Sequence, residues 1–324
     1  MTSVRWNIVG DIGGTNARFA INDTATGDYR SVANYKVADY PDFSDVLRHL
    51  KDDINEMGLA SGTPAKACFA VAGPPHMDIV SFTNSSWRFT RELISEQTGA
   101  EAVHIINDFA AVARSIPALA ANDLVQIGGG QRAQPGPKVA LGAGTGLGVG
   151  ALLECAHQRP VIITGEGGHV DFAPVTDVEA AVLQTLRSRY GRVSVERLCC
   201  GEGIVNIYQA LADFRGQSAT LTTAADIGAA AQTATNPLAR ETMAMFFAVL
   251  GASAGNAALT FGAIGGVYIA GGIVPRYLDL LRQSDFRARF LAKGRFADYL
   301  SAIPTYVITH QATGLLGASL TLHD

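Results

Sequence analysis

The chain has 324 residues, a formal net charge of −4 and 48% hydrophobic residues. This length permits two domains, each with a sizeable core, and this composition excludes a disordered chain. The acidic balance excludes a basic field for nucleic acid or anionic lipid, so any phosphate site must be built locally from loops and metal.

Cysteine usage and hydropathy favour a cytoplasmic protein outside the membrane. The apolar run before Asp11 is too short for a signal peptide, so we expect reduced thiols. The pair Cys199-Cys200 has no second pair with which to bind zinc. Thr242 to Pro275 carries no charged residue, but its small residues and paired glycines favour a buried helix and strand over a membrane span.

The first motif runs from Ile8 to Ala20, where apolar residues flank two glycines, and it predicts a tight β-hairpin. Positive φ at the glycines would bring bare N–H groups close to an anion. Asp11 is then placed to hold a divalent cation, directly or through water, beside bound phosphate. An ordinary glycine turn with a solvated Asp remains an alternative. The predicted phosphate donors are Gly13, Gly14, Thr15 and Asn16.

The next segments are typical of an α/β layer. A third strand is predicted over Val32 to Val37, a helix over Pro41 to Met57, and a buried strand over Lys66 to Ala72 that stops at Gly73-Pro74-Pro75. Ser81 to Trp87 is a polar turn with two aromatics that we expect to be exposed. It would either line a polyol site or form an N-cap cluster for a helix from Thr90.

A strand over Val103 to Ile106 delivers Asn107 and Asp108 at its carboxyl end, directly before a helix over Phe109 to Ile116. Ligands bind at the carboxyl ends of strands in open α/β sheets. Asp108 is therefore a candidate functional residue, although a role as the helix N-cap would explain it without chemistry.

The pattern of the first motif recurs over Val139 to Gly150, again as a predicted strand, glycine loop and strand. Gly14-Thr15 aligns with Gly144-Thr145 about one domain length further on, which predicts two halves of related design facing a common cleft. Neither loop runs into a helix, as a dinucleotide fingerprint requires, and a P-loop Gly-Lys-Ser/Thr is absent. These hairpins indicate another way of holding ATP.

Three further motifs lie in the second half of the chain. Glu166 and His169 flank a glycine pair and could point into one concave surface, although a plain loop is the alternative. Glu196 could be a ligand or a charge at a helix N-terminus. Asn236-Pro237 starts a core helix that runs to about Phe261. A strand over Val267 to Ala270 then ends at two glycines that would let a base or ribose approach, Gly271 and Gly272.

Taken in order, these motifs closely resemble bacterial glucokinases of the type without zinc, within the superfamily of hexokinase, actin and heat-shock chaperone ATPases. The resemblance covers nearly the whole chain. The motifs are Asp11-Ile-Gly-Gly-Thr15, Asn107-Asp108-Phe109, Gly142 to Gly148, Gly165 to Asp171, Ser194 to Arg197 and Ala270-Gly271-Gly272. The resemblance implies a two-domain actin-like ATPase (ribonuclease H-like) fold around a central cleft. The small α/β domain would comprise residues 1–118 and 310–324, and the larger α+β domain residues 119–309.

The resemblance also implies a reaction. It is the ATP- and magnesium-dependent phosphorylation of glucose at the 6-hydroxyl, the first step of glycolysis, by a cytoplasmic homodimer. Asp108 would be the base and Asp11 would face magnesium, and cleft closure over the sugar would limit ATP hydrolysis. The second phosphate loop would comprise Gly142, Gly144, Thr145 and Gly146, with Gly271 and Gly272 as adenosine wall. The sugar ligands would be Asn107, Asp108, Glu166, His169 and Glu196.

One loop departs from the family pattern, and two other functions stay open. Where the family commonly has Leu-Ser-Gly-Pro-Gly, this chain has Leu198-Cys-Cys-Gly-Glu-Gly203, which puts the sugar-side contacts of that loop in doubt. The same fold could phosphorylate another hexose or an amino sugar. A non-catalytic sugar-sensing regulator is weakened by the presence of Asp108 and by a first hairpin within ten residues of Met1, which leaves no room for a helix-turn-helix.

Overall fold

The computed structural model describes residues 5–73, 77–82, 85–130, 133–155 and 158–323. Two predicted turns fall partly outside these residues, at Pro74-Pro75 and at Thr83-Asn84. The chain forms two compact units, of which unit 1 comprises Met1–Leu119 and His310–Asp324 and unit 2 comprises Ala120–Thr309. The roles assigned to the two domains from the sequence stay predictions.

Thirteen strands are present among the described residues. They are β1 Trp6–Ile12, β2 Asn16–Asp23, β3 Tyr29–Lys36, β4 Lys66–Val71, β5 Val80–Ser81, β6 Arg88–Phe89, β7 Ala102–Asn107, β8 Leu124–Gly128, β9 Lys138–Ala143, β10 Leu147–Leu153, β11 Val161–Gly165, β12 Val267–Ala270 and β13 Thr305–Ile308.

Eleven α-helices are present in the same part of the chain. They are α1 Phe43–Glu56, α2 Arg91–Thr98, α3 Asp108–Ser115, α4 Asp177–Tyr190, α5 Gly201–Arg215, α6 Ala224–Gln232, α7 Pro237–Phe261, α8 Leu278–Arg282, α9 Phe286–Leu291, α10 Ala297–Ala302 and α11 Thr313–Thr321. The predicted helices and strands are confirmed with shifts of a few residues at their ends.

Unit 1 contains a sheet in the order β3-β2-β1-β4-β7, antiparallel from β3 to β1 and parallel from β1 to β7. Successive side chains of β1 enter different cores because a strand alternates its faces. Ile8 packs with Phe43 of α1, whereas Val9 packs with Ala111 of α3 and Leu315 of α11. Helices therefore cover both faces of this sheet.

Unit 2 contains a sheet in the order β11-β10-β9-β12-β13-β8. Its first five strands repeat the pairing pattern of unit 1, with two antiparallel pairs followed by two parallel pairs. The related design predicted from the two glycine hairpins is therefore visible as a repeated strand order. Helix α7, Pro237–Phe261, starts and ends where the sequence predicts.

Helix α7 is the one helix among the described residues that is long and apolar enough to cross a membrane. However, 61% of its most apolar window is buried inside the structure, as expected for a core helix. Phe246 and Phe247 are fully buried and belong to the main core of unit 2.

The prediction of two exposed aromatics in the turn from Ser81 to Trp87 is wrong. Phe82 is 9% exposed and Trp87 is fully buried. The Trp87 ring lies 5.4 Å from the ring of Phe43, and its indole N–H donates to the carbonyl of Tyr40 at 3.0 Å. Phe43 of α1 packs against Trp87, and the ring of Phe82 lies 6.0 Å from that of Phe89, so neither buried aromatic can line a polyol site. Helix α2 is capped by Thr90, whose hydroxyl accepts from the Leu93 N–H.

Candidate active site

The predicted first hairpin is confirmed, because β1 pairs antiparallel with β2 across a short turn that contains Gly13 and Gly14. Its turn is closed by the Gly13 N–H, which donates to the Asn16 carbonyl at 2.9 Å. Gly13 and Gly14 are not among the glycines with positive φ, so that part of the prediction is wrong. A Cβ on Gly13 would meet the Asn16 carbonyl oxygen at an ordinary 3.7 Å. The backbone and its packing therefore do not require glycine at position 13, and anion binding there stays a prediction.

Asp11 lies near the carboxyl end of β1, opposite Arg18 of β2. Its side chain is 22% exposed, and its Oδ2 lies 3.5 Å from the Arg18 Nη1. Burial raises the pKa of this carboxyl group, and the nearby Arg18 guanidinium partly offsets the effect. A second cation close to Asp11 would stabilise the ionised form that burial penalises.

Asn107 ends β7 and caps α3. Its Oδ1 accepts from the N–H groups of Phe109 at 2.9 Å and Ala110 at 3.1 Å, while its Nδ2 donates to the Gly73 carbonyl at 3.3 Å. Capping was the alternative explanation for Asp108, and it is wrong because Asn107 performs that role. Asp108 is the first residue of α3, half-buried, with its Oδ1 2.9 Å from the Phe109 N–H.

The sheet of unit 1 brings Asp11 and Asp108 to the same edge. Ile12, Val71 and Asn107 lie side by side on the parallel strands β1, β4 and β7. Two strand spacings amount to about 10 Å, so the hairpin and the start of α3 are separated by about this distance along the edge. Both belong to the carboxyl ends of their strands, where open α/β sheets bind ligands.

The second hairpin joins β9 to β10, and the Gly144 N–H closes it by donating to the Gly146 carbonyl at 2.8 Å. Glu196 reaches this hairpin from a distant part of the sequence, and its Oε2 accepts from the Leu147 N–H at 2.8 Å. A Cβ on Gly146 would lie 2.5 Å from the same oxygen. Glycine at position 146 thus makes room for the Glu196 carboxylate.

His169 and Glu166 lie beside Glu196. The other carboxylate oxygen of Glu196 is 3.8 Å from the His169 Nε2, and the His169 N–H donates to the Glu166 carbonyl at 3.0 Å. The short turn that carries His169 packs on the hairpin, because a Cβ on Gly168 would lie 2.1 Å from the Leu147 carbonyl oxygen. These three predicted sugar ligands are therefore gathered around one end of the second hairpin.

The alternative explanation for Glu196, a charge at a helix N-terminus, fits its place in the first turn of a short 3-10 helix but does not account for the bond that its carboxylate makes. Glu196 lies in the short 3-10 turn Val195–Arg197, and its carboxylate bonds to the hairpin. The residue that caps the following helix α5 is Cys200, whose Sγ accepts from the Gly203 N–H at 3.3 Å. Burial raises the pKa of the Cys200 thiol to about 11, so the sulfur is a neutral capping group at neutral pH.

Sequence reasoning missed the side chains that hold the turn after Glu196. The Arg197 guanidinium lies 4.0 Å from the centre of the Tyr190 ring, and its Nη1 lies 3.4 Å from Glu202. Tyr190 also contacts Glu202 through its hydroxyl at 3.1 Å, and the Asn206 amide donates to the Arg197 carbonyl at 3.1 Å. Glu202 belongs to the loop that departs from the family pattern, and this network gives it a structural role.

The two glycines after β12 have different surroundings. Gly271 has φ +87°, and a Cβ there would lie 2.3 Å from the Ala143 carbonyl oxygen, so packing against β9 already requires glycine. A Cβ on Gly272 would meet nothing within 4 Å. Of the two, Gly272 has the open space that a predicted adenosine wall needs.

Solved structures define the class of protein. A glucokinase from an Antarctic psychrotroph is 35% identical to this chain, with a TM-score of 0.82 and coverage of 98% of both chains. A ROK family glucokinase from Streptomyces griseus in complex with glucose and AMPPNP has a TM-score of 0.64 at 19% identity, again with 98% of both chains covered. The fold is therefore the actin-like ATPase fold of sugar kinases.

The family follows from the sequence comparisons. The model of the Glucokinase family matches residues 8–324. The curated glucokinase of Marinobacter nauticus is 43% identical over 323 residues, which cover 99% of this chain and 98% of that protein. This chain belongs to the glucokinase family.

Proposed function

We propose that this chain transfers a phosphoryl group from ATP to the 6-hydroxyl of glucose, with Asp108 as the general base. The observation that carries the assignment of the base is the cap at the start of α3. Because Asn107 satisfies the first N–H groups of the helix, the Asp108 carboxylate is not needed as a cap. Membership of the glucokinase family supports the choice of reaction.

Asp108 is suited to accept the proton of an attacking hydroxyl. It lies in the first turn of α3, where the partial positive charge of a helix N-terminus interacts favourably with a negative side chain. A carboxylate that takes the hydroxyl proton during transfer makes the oxygen a better nucleophile. The protein needs to add little covalent chemistry, since phosphoryl transfer depends mainly on positioning and charge stabilisation.

We infer that the first hairpin binds ATP phosphates and that Asp11 faces magnesium. Magnesium prefers hard oxygen ligands, usually one or two carboxylates with water and substrate phosphates. Asp11 fits this requirement, because it offers a carboxylate whose charged form is penalised by burial. Its Oδ2 is 3.5 Å from the Arg18 Nη1, which is long for an ion pair, so this guanidinium compensates the charge only in part. When bound, magnesium would neutralise charge on the phosphates.

Unit 2 would contribute the second phosphate hairpin and the adenosine wall. The turn around Gly144 presents glycine backbone, and Gly272 leaves open space beside the end of β12. Glu196 and His169 offer an acceptor and a polar ring to sugar hydroxyls, with Glu166 exposed beside them. The Streptomyces griseus relative binds glucose and AMPPNP on the same fold, which supports assigning both ligands to this chain.

The proposal also covers the cellular location and the oligomeric state of the enzyme. We propose a cytoplasmic homodimer that interacts with neither nucleic acid nor membranes. A formal net charge of −4 supports the first exclusion, and the burial of α7 supports the second. Light scattering of the purified protein tests the dimer, and a monomer at micromolar concentration would rule it out.

The test of function couples ADP release to a spectroscopic signal in the presence of ATP, magnesium and one sugar at a time. The sugars are glucose, mannose, fructose and N-acetylglucosamine. We expect glucose to be preferred, and Asp108→Asn to lower turnover at least about a hundredfold. Asp28→Asn is the matched control, because it makes the same charge change at an exposed position of unit 1.

Other outcomes would change the proposal in defined ways. Preference for another hexose or for the amino sugar would keep the mechanism and change the substrate. Sugar binding without sugar-dependent turnover in folded protein would favour a regulator. Full activity of Asp108→Asn would show that another group is the base.

A further inference from the structure

We infer that Gly314, in the first turn of the C-terminal helix α11, is a positioning residue for Asp11. This inference rests on the proposed role of Asp11 toward magnesium. A Cβ on Gly314 would lie 2.5 Å from Cγ, 2.7 Å from Oδ1 and 2.8 Å from Oδ2 of Asp11. All three distances are shorter than real Cβ contacts, so rotation of the carboxylate about its own axis cannot relieve the overlap.

Asp11 has little freedom to withdraw from a side chain at position 314. Its backbone is held inside the sheet, with Arg18 opposite on β2 and Ala70 opposite on β4. The carboxylate is 22% exposed, and the Arg18 Nη1 lies 3.5 Å from its Oδ2. A methyl group at position 314 would therefore turn the carboxylate away from its present direction or move the helix.

Helix α11 cannot easily move away either. One turn further along the same face, a Cβ on Gly317 would lie 1.9 Å from the Ala111 carbonyl oxygen of α3. Leu315 and Ala318 are buried in the core that α11 shares with the sheet. Packing on α3 and on the sheet thus fixes the helix independently of Asp11.

The two glycines of α11 lie on the same side of the helix. Residues three apart lie on one face of a helix, so Gly314 and Gly317 form a single smooth surface. This surface contacts Asp11 at one position and α3, the helix that begins with Asp108, at the other. The C-terminal helix therefore sets the direction of the Asp11 carboxylate relative to the start of α3.

The test is Gly314→Ala, measured by calorimetric titration with AMPPNP in the presence and absence of magnesium. Alanine has a higher helix propensity than glycine, so the helix itself does not oppose the change. We expect the affinity for the magnesium complex to fall roughly tenfold, the usual result when a residue that orients a metal ligand is changed. The affinity for AMPPNP without magnesium and the KM for glucose should remain unchanged.

Thr313→Ala is the control in the same turn and should bind the magnesium complex like the wild type. A second test repeats Gly314→Ala in an Asp11→Ala background, where the overlapping carboxylate is absent. There the additional change should have no effect on magnesium-dependent binding. A tenfold loss that persists in this background, or wild-type binding by Gly314→Ala, would overturn the inference.

The same double variant covers the case in which Gly314→Ala fails to fold. Removal of the Asp11 carboxylate should then restore folding, and a double variant that is equally unfolded would contradict the inference. Failure of the proposed function has a different signature. If Asp11→Ala alone leaves magnesium-dependent AMPPNP binding unchanged, Asp11 does not face magnesium, whatever Gly314 does.

Discussion

The hydrogen bond between Glu196 and the second hairpin leads to a prediction about nucleotide binding. The Leu147 N–H donates to the Glu196 Oε2 at 2.8 Å, and the Glu196 side chain is 28% exposed. Glu196→Ala removes the acceptor and leaves the Leu147 N–H of the second hairpin without this hydrogen bond. Hydrogen bonds to charged groups contribute roughly 1.5–3 kcal/mol, and partial exposure reduces this to about 1–2 kcal/mol.

If this free energy holds the hairpin in its binding conformation, AMPPNP affinity in the absence of sugar should fall about 5-fold to 30-fold in Glu196→Ala. The assay is calorimetric titration of AMPPNP with magnesium and no sugar. Measurement without sugar matters, because Glu196 is also a proposed sugar ligand and a loss of sugar binding would otherwise mask the effect.

Glu196→Gln separates the two roles of this side chain. Its amide oxygen can still accept from the Leu147 N–H, so AMPPNP affinity should stay within about threefold of the wild type. Its amide carries no charge, so glucose binding should weaken in both variants. Equal AMPPNP affinity in wild type and Glu196→Ala would refute the reasoning, because the hairpin would then keep its conformation without the carboxylate.

Two further predictions concern stability. Asp11→Asn should raise the thermal midpoint at pH 7, because burial raises the pKa of Asp11 and the ionised form loses stability as pH rises from its ordinary value of 3.8 through the folded value. The difference in thermal midpoint should vanish in scans below pH 3.8, and a lower midpoint of Asp11→Asn at pH 7 would contradict the prediction. Cys200→Ala should lower the free energy of unfolding in urea by about 0.5–1 kcal/mol, because the Gly203 N–H loses its cap. Cys200→Ser should retain that stability, and equal losses in both variants would exclude capping as the cause.

Much of the fold could be predicted from the sequence, because its signals are local. Asn236-Pro237 marks the start of α7, and the structure has its cap and first residue there. The two hairpins are recognisable because alternating apolar residues surround glycines, and the structure confirms both as antiparallel pairs. In each case a few neighbouring residues carry the whole signal.

Two of the errors occurred where one local pattern allows two explanations. Asn107 and Asp108 are both good helix caps, and the structure shows that the first of them takes the role. Trp87 follows a polar turn typical of exposed segments, but the surface of α1 covers it. The burial of Trp87 cannot be determined locally, because it depends on α1, which is distant in the sequence.

The sequence by itself determined the order of the motifs, the two glycine hairpins, most helix and strand positions and the family resemblance. Only the tertiary structure decided which side chains meet. Glu196 accepts from Leu147 across 49 positions of sequence, and Gly314 makes room for Asp11 from the opposite end of the chain. Such contacts leave no periodic signal, since they arise when separately formed elements pack and a glycine or carboxylate fills the space left between them.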